Sequence, residues 1–507
     1  MATDYNACVD FLDRNVEGGR ADHPAVVTRD RSVSYGELLA EVRATAAGLR
    51  GLGVAPEQRV AMVMLDSVEF FDVFLGALRI GAVPAPVNPL LPGRDLGAVV
   101  ANSRARVLVA SAERAGELDA LRAAAPEVET VVVTGTPEWD ALVGGGGADP
   151  AGPAGDPWPS WDESPGFWLC TSGSTGRPKL AMHRHGDLRA TAETYAAAVL
   201  GVRPDDRCYS VGPMFHAYGL GNSLTFPFSV GATAIVEPTR PPTPALVGEI
   251  ARTLRPTLLF CIPTFYAALA ASDLAADTFA SVRWGVSAAE PLPAETWHRF
   301  EDRFGVRILD GIGTTEMTHI FISNAPDAIR PGTSGRPVPG YEVGLVGPDG
   351  GPVADDTPGH LEIGGESMAL GYWCDQGATR FSFAGLRMRT GDMYARSADG
   401  YYTYLGRSDD MLRVAGEWVS PAEVEATLVT HPTVLEAAVV GRRDDQGVQR
   451  PVAFVVAAPG EAVDPAELET LCKAELAGYK RPRRYEVVAD LPKTATGKVL
   501  RYRLREG

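Results

Sequence analysis

The first third of the chain alternates helix-like and strand-like segments, and this rhythm constrains the fold more than any other feature of the sequence. Residues 34–53 carry apolar side chains at helical spacing, begin at a serine that can cap a helix and end at a glycine. Residues 59–65 form a short apolar run of the strand type, and residues 68–81 return to the helical pattern. Alternation of this kind predicts a doubly wound α/β sheet.

The alternation resumes after residues 144–166, a glycine- and proline-rich stretch whose composition predicts a surface linker. Beyond this stretch the pattern predicts strands at 167–173, 233–238 and 257–263, and helices at 187–199 and 244–254. From Tyr341 onward, short strands separated by turns predict a small β subdomain.

These patterns predict an α/β chain with two domains. The large N-terminal domain is expected over 1–407 and contains the doubly wound sheets and the small β subdomain. A polar stretch at 408–410 is the predicted hinge, because few contacts are expected to cross it. A small α+β C-terminal domain is predicted over 411–507.

Charge and cysteine content exclude several classes of protein. The net charge of −17 argues against non-specific binding of nucleic acid, whose phosphates it would repel. The 6 cysteines have no CxxC pair or regular spacing, so neither a disulfide framework nor a zinc site is predicted. The acidic N-terminus does not resemble a signal peptide, and no apolar run approaches the ~18 residues of a membrane span. We therefore expect a cytoplasmic protein that does not enter a membrane.

The segment TSGSTGRPK, residues 171–179, has the composition of an anion-binding loop. It is not a Walker loop, because Pro178 keeps Arg177 out of the helical region and no helix can begin at the lysine. Gly173 and Gly176 permit tight turns that expose amide donors, and Lys179 adds a positive charge. Taken alone, such a stretch is also compatible with an ordinary turn.

Three distant segments bear on the same chemistry. In DGIGTTEM, residues 310–317, Glu316 suits a magnesium ion and the threonines can donate to phosphate, although Glu316 is also compatible with a helix-start acid. The Asp392 carboxylate, in a turn, can accept from ribose hydroxyls, and Arg407 directly precedes the predicted hinge; a solvated loop charge is the alternative for both. Lys498 follows a glycine turn in a basic segment; such a segment is usually a solvated tail, but this one follows a strand-like stretch and a turn, which argues against a tail.

Together and in this order, these segments resemble the adenylate-forming superfamily of acyl-CoA synthetases, adenylation domains and luciferases. The resemblance runs from SYGELL near the N-terminus to TGKVLR near the C-terminus. Within the superfamily, three segments are most similar to benzoate-CoA ligases and related aryl-CoA ligases: FHAYGLGNSLTFPFSVGA, DGIGTTEMTHIFISN and GRSDDMLRVAGEWVSPAEVEATLVTHP. The resemblance implies that a carboxylic acid attacks Mg-ATP to give acyl-AMP and pyrophosphate. The C-terminal domain is then implied to be mobile and to rotate before the thiol of CoA attacks.

The resemblance also implies roles for individual residues. Thr315, Glu316, His216 and Lys498 are the implied catalytic residues, with Glu316 on the magnesium ion and Lys498 bridging the carboxylate and the α-phosphate. The implied ATP site is formed by the loop, two strand ends and the ribose pair: Thr171, Ser172, Gly173, Ser174, Thr175, Gly176, Lys179, Ala289, Glu290, Pro291, Asp310, Gly311, Ile312, Gly313, Thr314, Asp392 and Arg407.

The remaining implied positions concern the acid, the hinge and CoA. The implied acyl pocket comprises His216, Ala217, Tyr218, Gly219, Gly311, His319 and Ile320. For His216 and His319, a role as hydrogen-bonded wall residues is an open alternative. The implied hinge residue is Asp409, and the implied CoA positions are Gly416, Trp418 and Arg481. Three positions depart from the family pattern: Cys170, Leu180 and Ala289.

Two other functions stay open at this point. An adenylating enzyme could pass the acyl group to a carrier protein or a partner ligase instead of free CoA. A non-catalytic nucleotide sensor could retain the same fold. The expected partners are a small carboxylic acid, ATP and CoA, without nucleic acid or membrane, and a homodimer is left open.

Overall fold

The computed structural model of the chain describes residues 4–147, 152–171, 178–414, 417–444, 449–493 and 499–505. Its largest sheet has parallel central strands and antiparallel outer strands. The spatial order of this sheet is Arg336–Pro337, Ile320–Ser323, Ile308–Gly313, Trp284–Ser287, Leu258–Cys261, Arg207–Ser210, Thr233–Ile235, Pro24–Val27 and Ser32–Ser34. The predicted α/β class is confirmed.

A second sheet is parallel throughout and is built from the first third of the chain. Its spatial order is Val83–Pro86, Arg59–Val63, Val107–Ala110 and Thr130–Val133. The α-helices that cover the two sheets or connect their strands are Tyr35–Gly51, Val68–Arg79, Gly93–Ser103, Leu118–Ala124, Pro137–Val143, His185–Thr191, Ala217–Leu220, Phe226–Val230, Pro244–Leu254, Pro263–Ala270 and Ala294–Phe304. Wider π-helical segments are Val9–Asp13, Val16–Arg20, Ala192–Leu200 and Gly221–Thr225, and 3₁₀ turns are Ala112–Glu117, Gly145–Gly147, Pro153–Gly155 and Thr315–Met317.

A two-stranded hairpin carries the ends of the TSGSTGRPK segment. Its strands are Pro165–Thr171 and Lys179–Arg184, and Thr171 pairs directly with Lys179. Its inward side chains, among them Phe167 and Leu169, belong to the main hydrophobic core. The hairpin therefore anchors both ends of the segment to the body of the protein.

The β subdomain predicted after Tyr341 is present as a separate antiparallel sheet. Its strands are Glu342–Val346, Gly359–Gly364, Phe383–Ala384, Arg387–Arg396 and Tyr402–Arg407, with the helix Gln376–Ser382 beside them. The C-terminal region has its own core, around Val424, Val439, Val455 and Leu468. Its elements are the strands Leu412–Val414, Glu417–Val419, Val434–Arg443, Gln449–Ala457 and Arg484–Val488 and the helices Pro421–Val429, Pro465–Glu475 and Arg501–Arg505.

Local capping chemistry explains why the helix starts predicted at Ser34 and Pro244 agree with the structure, whereas the helix predicted from residue 187 begins at His185. The Ser34 side chain accepts from the Glu37 amide while the Glu37 carboxylate accepts from the Ser34 amide, a reciprocal capping box. Thr243 caps the helix that begins at Pro244, where the missing amide hydrogen costs nothing. Such signals lie within three or four residues of the helix start and are readable from sequence.

The interpretation of residues 144–166 as a surface linker is wrong in part. Gly145 and Gly155 are buried, and the structure describes this stretch except for residues 148–151. The buried Arg79 donates from Nε to the Gly155 carbonyl at 2.6 Å, and Arg50 donates to the Pro153 carbonyl at 3.0 Å. The stretch supplies the carbonyl acceptor that the buried Arg79 guanidinium requires, which composition alone does not reveal.

Among the described residues, no helix combines the length and the apolar character needed to cross a membrane.

Candidate active site

Two neighbouring parallel strands bring the SAAEP and DGIG segments together at one edge of the large sheet. Ser287 ends the strand Trp284–Ser287 and lies opposite Asp310 in the strand Ile308–Gly313. Carboxyl ends of parallel strands are where α/β sheets bind ligands. Beyond Ser287 the chain turns at Ala289, whose φ of 76° lies in the left-handed region. The structure therefore places both segments predicted to flank adenine side by side.

Asp310 is the buried acid of this edge. Burial raises the pKa of the Asp310 carboxyl well above its ordinary value, and the nearby Ser287 hydroxyl acts in the opposite direction. The Thr314 Oγ1 atom is buried and has no hydrogen-bond partner within the part of the chain that the structure describes. An unpaired buried hydroxyl is costly, so its position suits a ligand group that would accept from it.

Glu316 and Lys179 contact the same tyrosine, Tyr372. The Tyr372 hydroxyl donates to Glu316 Oε1 at 2.6 Å, and Glu316 is 8% exposed. The Lys179 ammonium lies 4.9 Å from the centroid of the Tyr372 ring. A cation and a carboxylate that are far apart in sequence thus contact the same aromatic residue, the cation at its ring and the carboxylate at its hydroxyl.

The turn that carries Thr315 is held from its other side by a buried histidine. His183 lies with Nε2 2.9 Å from the Thr315 carbonyl oxygen and with Nδ1 3.0 Å from Asp187 Oδ2. Both His183 and Asp187 are fully buried, and the His183 ring stacks on Phe167. The hairpin strand Lys179–Arg184 therefore contacts the Thr315–Met317 turn through His183.

The predicted ribose pair is also brought together. Asp392 and Arg407 lie opposite each other in neighbouring strands, and Arg407 Nη1 is 3.3 Å from Asp392 Oδ1. Arg407 also donates to the Thr390 carbonyl at 2.8 Å, and its Nε is 3.7 Å from Asp409 Oδ1. The carboxylate of Asp392 is thus preoriented by a guanidinium group at the end of the β subdomain.

The candidate acyl residues follow the strand Arg207–Ser210. His216 precedes the short helix Ala217–Leu220, and its Nε2 atom is buried without a hydrogen-bond partner in the described part of the chain. Burial lowers the pKa of His216 to about 4, so the ring is neutral at neutral pH. The Tyr218 hydroxyl lies within hydrogen-bonding distance of the Val286 and Cys261 carbonyls, at 2.9 and 3.2 Å. Those two carbonyls fix the orientation of the Tyr218 ring.

His319 is enclosed by aromatic rings. Its Nε2 atom lies 3.1 Å from Asn222 Oδ1, and its ring contacts Tyr195, Tyr218 and Phe226. Burial lowers the pKa of His319 to about 3. These contacts match the alternative of a hydrogen-bonded wall residue, and a direct contact of His319 with the acid stays a prediction.

The predicted glycines of the pocket are explained by close packing. A Cβ atom at Gly219 would lie 2.1 Å from the Pro213 carbonyl oxygen, and one at Gly311 would lie 2.7 Å from the Ile322 carbonyl oxygen. Neither contact is tolerable, so both positions require glycine in this fold. Ile320, also a predicted pocket residue, is buried in the core cluster that includes Met317 and Phe321.

The predicted CoA and hinge residues lie in or next to the C-terminal region. Arg481 donates to the Leu476 and Lys473 carbonyls at 2.8 and 3.1 Å, at the end of the helix Pro465–Glu475. Trp418 is 47% exposed, and the Arg413 guanidinium lies 5.4 Å from its ring centroid. Asp409 lies in the turn directly after the strand Tyr402–Arg407.

Several predicted residues lie outside the described part of the chain. They are Ser172, Gly173, Ser174, Thr175, Gly176, Gly416 and Lys498. Their roles stay predictions from the resemblance.

Family models place this arrangement in context. The AMP-binding enzyme model matches residues 12–373, and the model of the AMP-binding enzyme C-terminal domain matches residues 423–498. The chain belongs to the AMP-binding enzyme family. Membership confirms the predicted resemblance and the predicted class of enzyme.

Three relatives of this AMP-binding enzyme are similar over nearly its whole length. The 4-hydroxybenzoate–CoA/benzoate–CoA ligase of Rhodopseudomonas palustris is 42% identical over 99% of this chain and 94% of its own. The crystal structure of a benzoate CoA ligase from Burkholderia xenovorans LB400 superposes with a TM-score of 0.92, at 41% identity, covering 99% of this chain and 100% of its own. That of the anthranilate CoA ligase AuaEII in complex with anthranoyl-AMP has a TM-score of 0.95, at 38% identity, covering 99% and 97%.

Sequence reasoning missed three side chains of this AMP-binding enzyme's candidate site: Tyr372, His183 and Asp187. The four-residue spacing of His183 and Asp187 predicts a contact only within one helix, whereas His183 lies in the strand Lys179–Arg184 and Asp187 in the helix His185–Thr191. Tyr372 offered no comparable signal, because its partners Glu316 and Lys179 are reached only through the tertiary fold.

Proposed function

We propose that this AMP-binding enzyme is an ATP-dependent acid–thiol ligase that activates an aryl carboxylic acid as acyl-AMP and then forms its CoA thioester. One observation carries the proposal: the chain is similar over 99% of its length to aryl-CoA ligases, in sequence and in structure. The meeting of Lys179, Tyr372 and Glu316 at the end of the strand that carries Asp310 supports it.

In the first half-reaction, a carboxylate oxygen of the acid bonds to the α-phosphorus of ATP, and the bond from that phosphorus to pyrophosphate breaks. The proposed contributions of the chain are positioning and charge stabilisation. Lys179 and the 171–176 loop bind the departing phosphates, and Thr315 contacts the α-phosphate. Asp392 and Arg407 hold the ribose, and the 287–291 and 310–312 segments flank adenine.

A magnesium ion is compatible with the residues present at Glu316. Mg²⁺ takes one or two carboxylates and fills its remaining positions with phosphate oxygens and water. The Glu316 carboxylate accepts one hydrogen bond from Tyr372 and has further lone pairs for a metal. When bound with ATP, the ion would neutralise phosphate charge.

In the second half-reaction, the sulfur of CoA bonds to the acyl carbon and the bond from that carbon to AMP breaks. We propose that Lys498 stabilises the first half-reaction only and that rotation about Asp409 replaces it with the loop containing Gly416. Trp418 and Arg481 are the proposed contacts for CoA. The two halves use the same acyl site, because the adenylate stays bound between them.

The proposed acid pocket is suited to an uncharged ring. Tyr218 is fixed by two main-chain carbonyls, and His216 is neutral at neutral pH because burial lowers its pKa to about 4. Neither side chain offers a charge to the acid. The carboxylate is therefore expected to point toward the nucleotide and its ring toward Tyr218.

The test is ATP–pyrophosphate exchange across aryl, alicyclic and fatty acids, followed by thioester detection with CoA. Exchange with benzoate-type acids and formation of the corresponding aryl-CoA are expected. Exchange without thioester would favour transfer to a carrier protein or a partner ligase. Exchange restricted to fatty acids would overturn the aryl assignment.

A further inference from the structure

A short segment around Tyr372 connects the two parts of the candidate site that are most distant in sequence. We call residues 367–373 the bridging segment. On one side it hydrogen-bonds to the hairpin strand Lys179–Arg184: Leu370 N donates to Met182 O at 2.9 Å, and Met182 N to Gly371 O at 3.0 Å. Trp373 N donates to Leu180 O at 2.8 Å. The segment is therefore a third strand-like edge on the hairpin.

The other side of the bridging segment holds the turn that contains Glu316. Ala369 N donates to the Glu316 carbonyl at 2.8 Å, and the Ser367 hydroxyl donates to the Met317 carbonyl at 2.8 Å. Thr318 Oγ1 donates to the Ser367 carbonyl at 3.2 Å. One main-chain bond and two hydroxyl bonds thus connect the Glu316 turn, through the bridging segment, to the hairpin strand Lys179–Arg184.

Tyr372 is the residue of this segment that reaches both functional side chains. Its hydroxyl donates to Glu316 Oε1 and its ring faces the Lys179 ammonium. The tyrosine itself is held firmly: its amide donates to Thr379 Oγ1 at 2.9 Å and its ring packs edge-on against Phe383 at 5.5 Å. It is mostly buried, and this packing restricts its rotamer.

We propose that Tyr372 is a positioning residue for Mg-ATP, whose hydroxyl orients the Glu316 carboxylate toward the metal and whose ring seats Lys179 for the phosphates. The proposal rests on the proposed function of this site. A hydrogen bond to one carboxylate oxygen fixes the rotation of the group and directs its remaining lone pairs. The ring face attracts the ammonium and restricts a side chain that is otherwise highly flexible.

Tyr372→Phe removes the hydroxyl and keeps the ring. Losing such a partner of a metal-binding carboxylate typically weakens metal affinity by about tenfold or more. ATP affinity is measured by calorimetric titration at a series of Mg²⁺ concentrations, without acid or CoA. The Mg²⁺ concentration that gives half of the gain in ATP affinity should be about tenfold higher for Tyr372→Phe than for the unmodified protein. ATP affinity in excess EDTA should not change, because the ring still faces Lys179.

Two further variants separate positioning from general damage. Tyr372→Ala also removes the ring, so ATP affinity in EDTA should fall, by about threefold for a partly exposed cation–π contact. Tyr341→Phe is the matched control, because the Tyr341 hydroxyl bonds to Ser367 Oγ of the same segment at 2.8 Å without touching Glu316. It should keep the Mg²⁺ dependence of the unmodified protein, whatever its thermal stability.

The outcomes for this inference and for the proposed function are distinguishable. If the unmodified protein binds ATP more tightly with Mg²⁺ but Tyr372→Phe has the same Mg²⁺ dependence, the positioning role is overturned. The same holds if Tyr341→Phe shifts that dependence as much as Tyr372→Phe does. If the shift is seen but no aryl acid supports pyrophosphate exchange, Tyr372 keeps its role and the proposed function fails.

Discussion

At the scale of single residues, the nucleotide site combines opposite charges with buried neutral groups. Lys179 and Glu316 both contact Tyr372, at its ring and at its hydroxyl, whereas burial keeps His216 neutral by lowering its pKa to about 4. Charged side chains thus lie where the phosphates of ATP are expected, and a neutral side chain lies where the aromatic ring of the acid is expected. Residue-scale predictions therefore separate nucleotide chemistry from acid binding.

Lys498→Ala is predicted to block the first half-reaction and spare the second. Removing a cation from the developing charge on the α-phosphate should slow ATP–pyrophosphate exchange by at least about 100-fold. Conversion of a supplied acyl-adenylate to thioester should continue. Lys473→Ala, which removes an exposed lysine of the C-terminal region, is the control and should match the unmodified enzyme. Equal loss of both half-reactions in a folded Lys498→Ala protein would contradict the assigned role.

Ala289→Gly is predicted to stabilise the protein. Ala289 has a φ of 76°, and a side chain in the left-handed region costs roughly 1–2 kcal/mol, which glycine avoids. Glycine gains roughly 0.5–1 kcal/mol of unfolded-state entropy, so a net stabilisation of about 0.5–1 kcal/mol is expected. The measurement is the thermal unfolding midpoint, with Ala288→Gly, at a buried position, expected to lower it. A lower midpoint for Ala289→Gly would show that the turn is not strained.

At the scale of elements, the helices Tyr35–Gly51 and Val68–Arg79 pack around a buried carboxyl group. Asp72 is 3% exposed, and its Oδ1 atom has no hydrogen-bond partner among the described residues. Burial and the neighbouring Glu41 and Glu69 raise the pKa of Asp72 well above its ordinary value, and Arg31 opposes them only in part. Between the unfolded and the raised folded pKa of Asp72, the folded protein binds more protons at this group than the unfolded chain does.

Asp72→Asn is predicted to remove a pH-dependent destabilisation of the folded protein. Because the folded pKa is raised, the contribution of Asp72 is most favourable below its unfolded pKa of about 4 and is lost as the pH rises toward the folded pKa. The variant should unfold with a free energy about 1 kcal/mol higher than the unmodified protein at pH 7.5, and with a smaller difference at pH 4.5. Asp273→Asn, at an exposed position, should show no such trend. A constant or reversed difference would contradict the assignment.

An element could be predicted from the sequence where neighbouring residues determine it, and could not where contacts between residues distant in sequence determine it. The helix at 244–254 was predicted with its observed ends, because Thr243 and Pro244 mark its start locally. The interpretation of residues 144–166 as a surface linker was wrong in part, because the hydrogen bond from Arg79 to the Gly155 carbonyl forms only in the tertiary structure. For the same reason the motifs predicted Lys179 and Glu316 but not the Tyr372 that joins them.

At the scale of the whole molecule, the N- and C-terminal regions meet in an interface that is polar in part. Arg299 Nη2 donates to the Val429 carbonyl at 3.0 Å, at the end of the helix Pro421–Val429. A cavity of ≈ 350 Å³ lies between Ala267 and Ala270 on one side and Pro432 and Leu435 on the other. An interface that contains a cavity of this size is compatible with the rotation proposed about Asp409.

Asp409→Pro is predicted to slow the second half-reaction selectively. Proline fixes φ near −65° and restricts the backbone change that a hinge must absorb. Pyrophosphate exchange should stay within about twofold, whereas thioester formation should fall by about tenfold or more, a loss of about 1.4 kcal/mol in transition-state stabilisation. Asp409→Asn removes the charge beside Arg407 without restricting φ and should leave both rates near those of the unmodified enzyme. Similar losses in both halves for Asp409→Pro would argue against a hinge at this position.

The most direct test of the account is a single substrate panel measured on the unmodified protein. Each acid, from benzoate and hydroxybenzoates to alicyclic and fatty acids, is assayed for ATP–pyrophosphate exchange and then for thioester formation with CoA. The account predicts magnesium-dependent exchange with aryl acids and release of the aryl-CoA thioester when CoA is added. Absence of exchange with every aryl acid, in a protein that binds ATP, would contradict it.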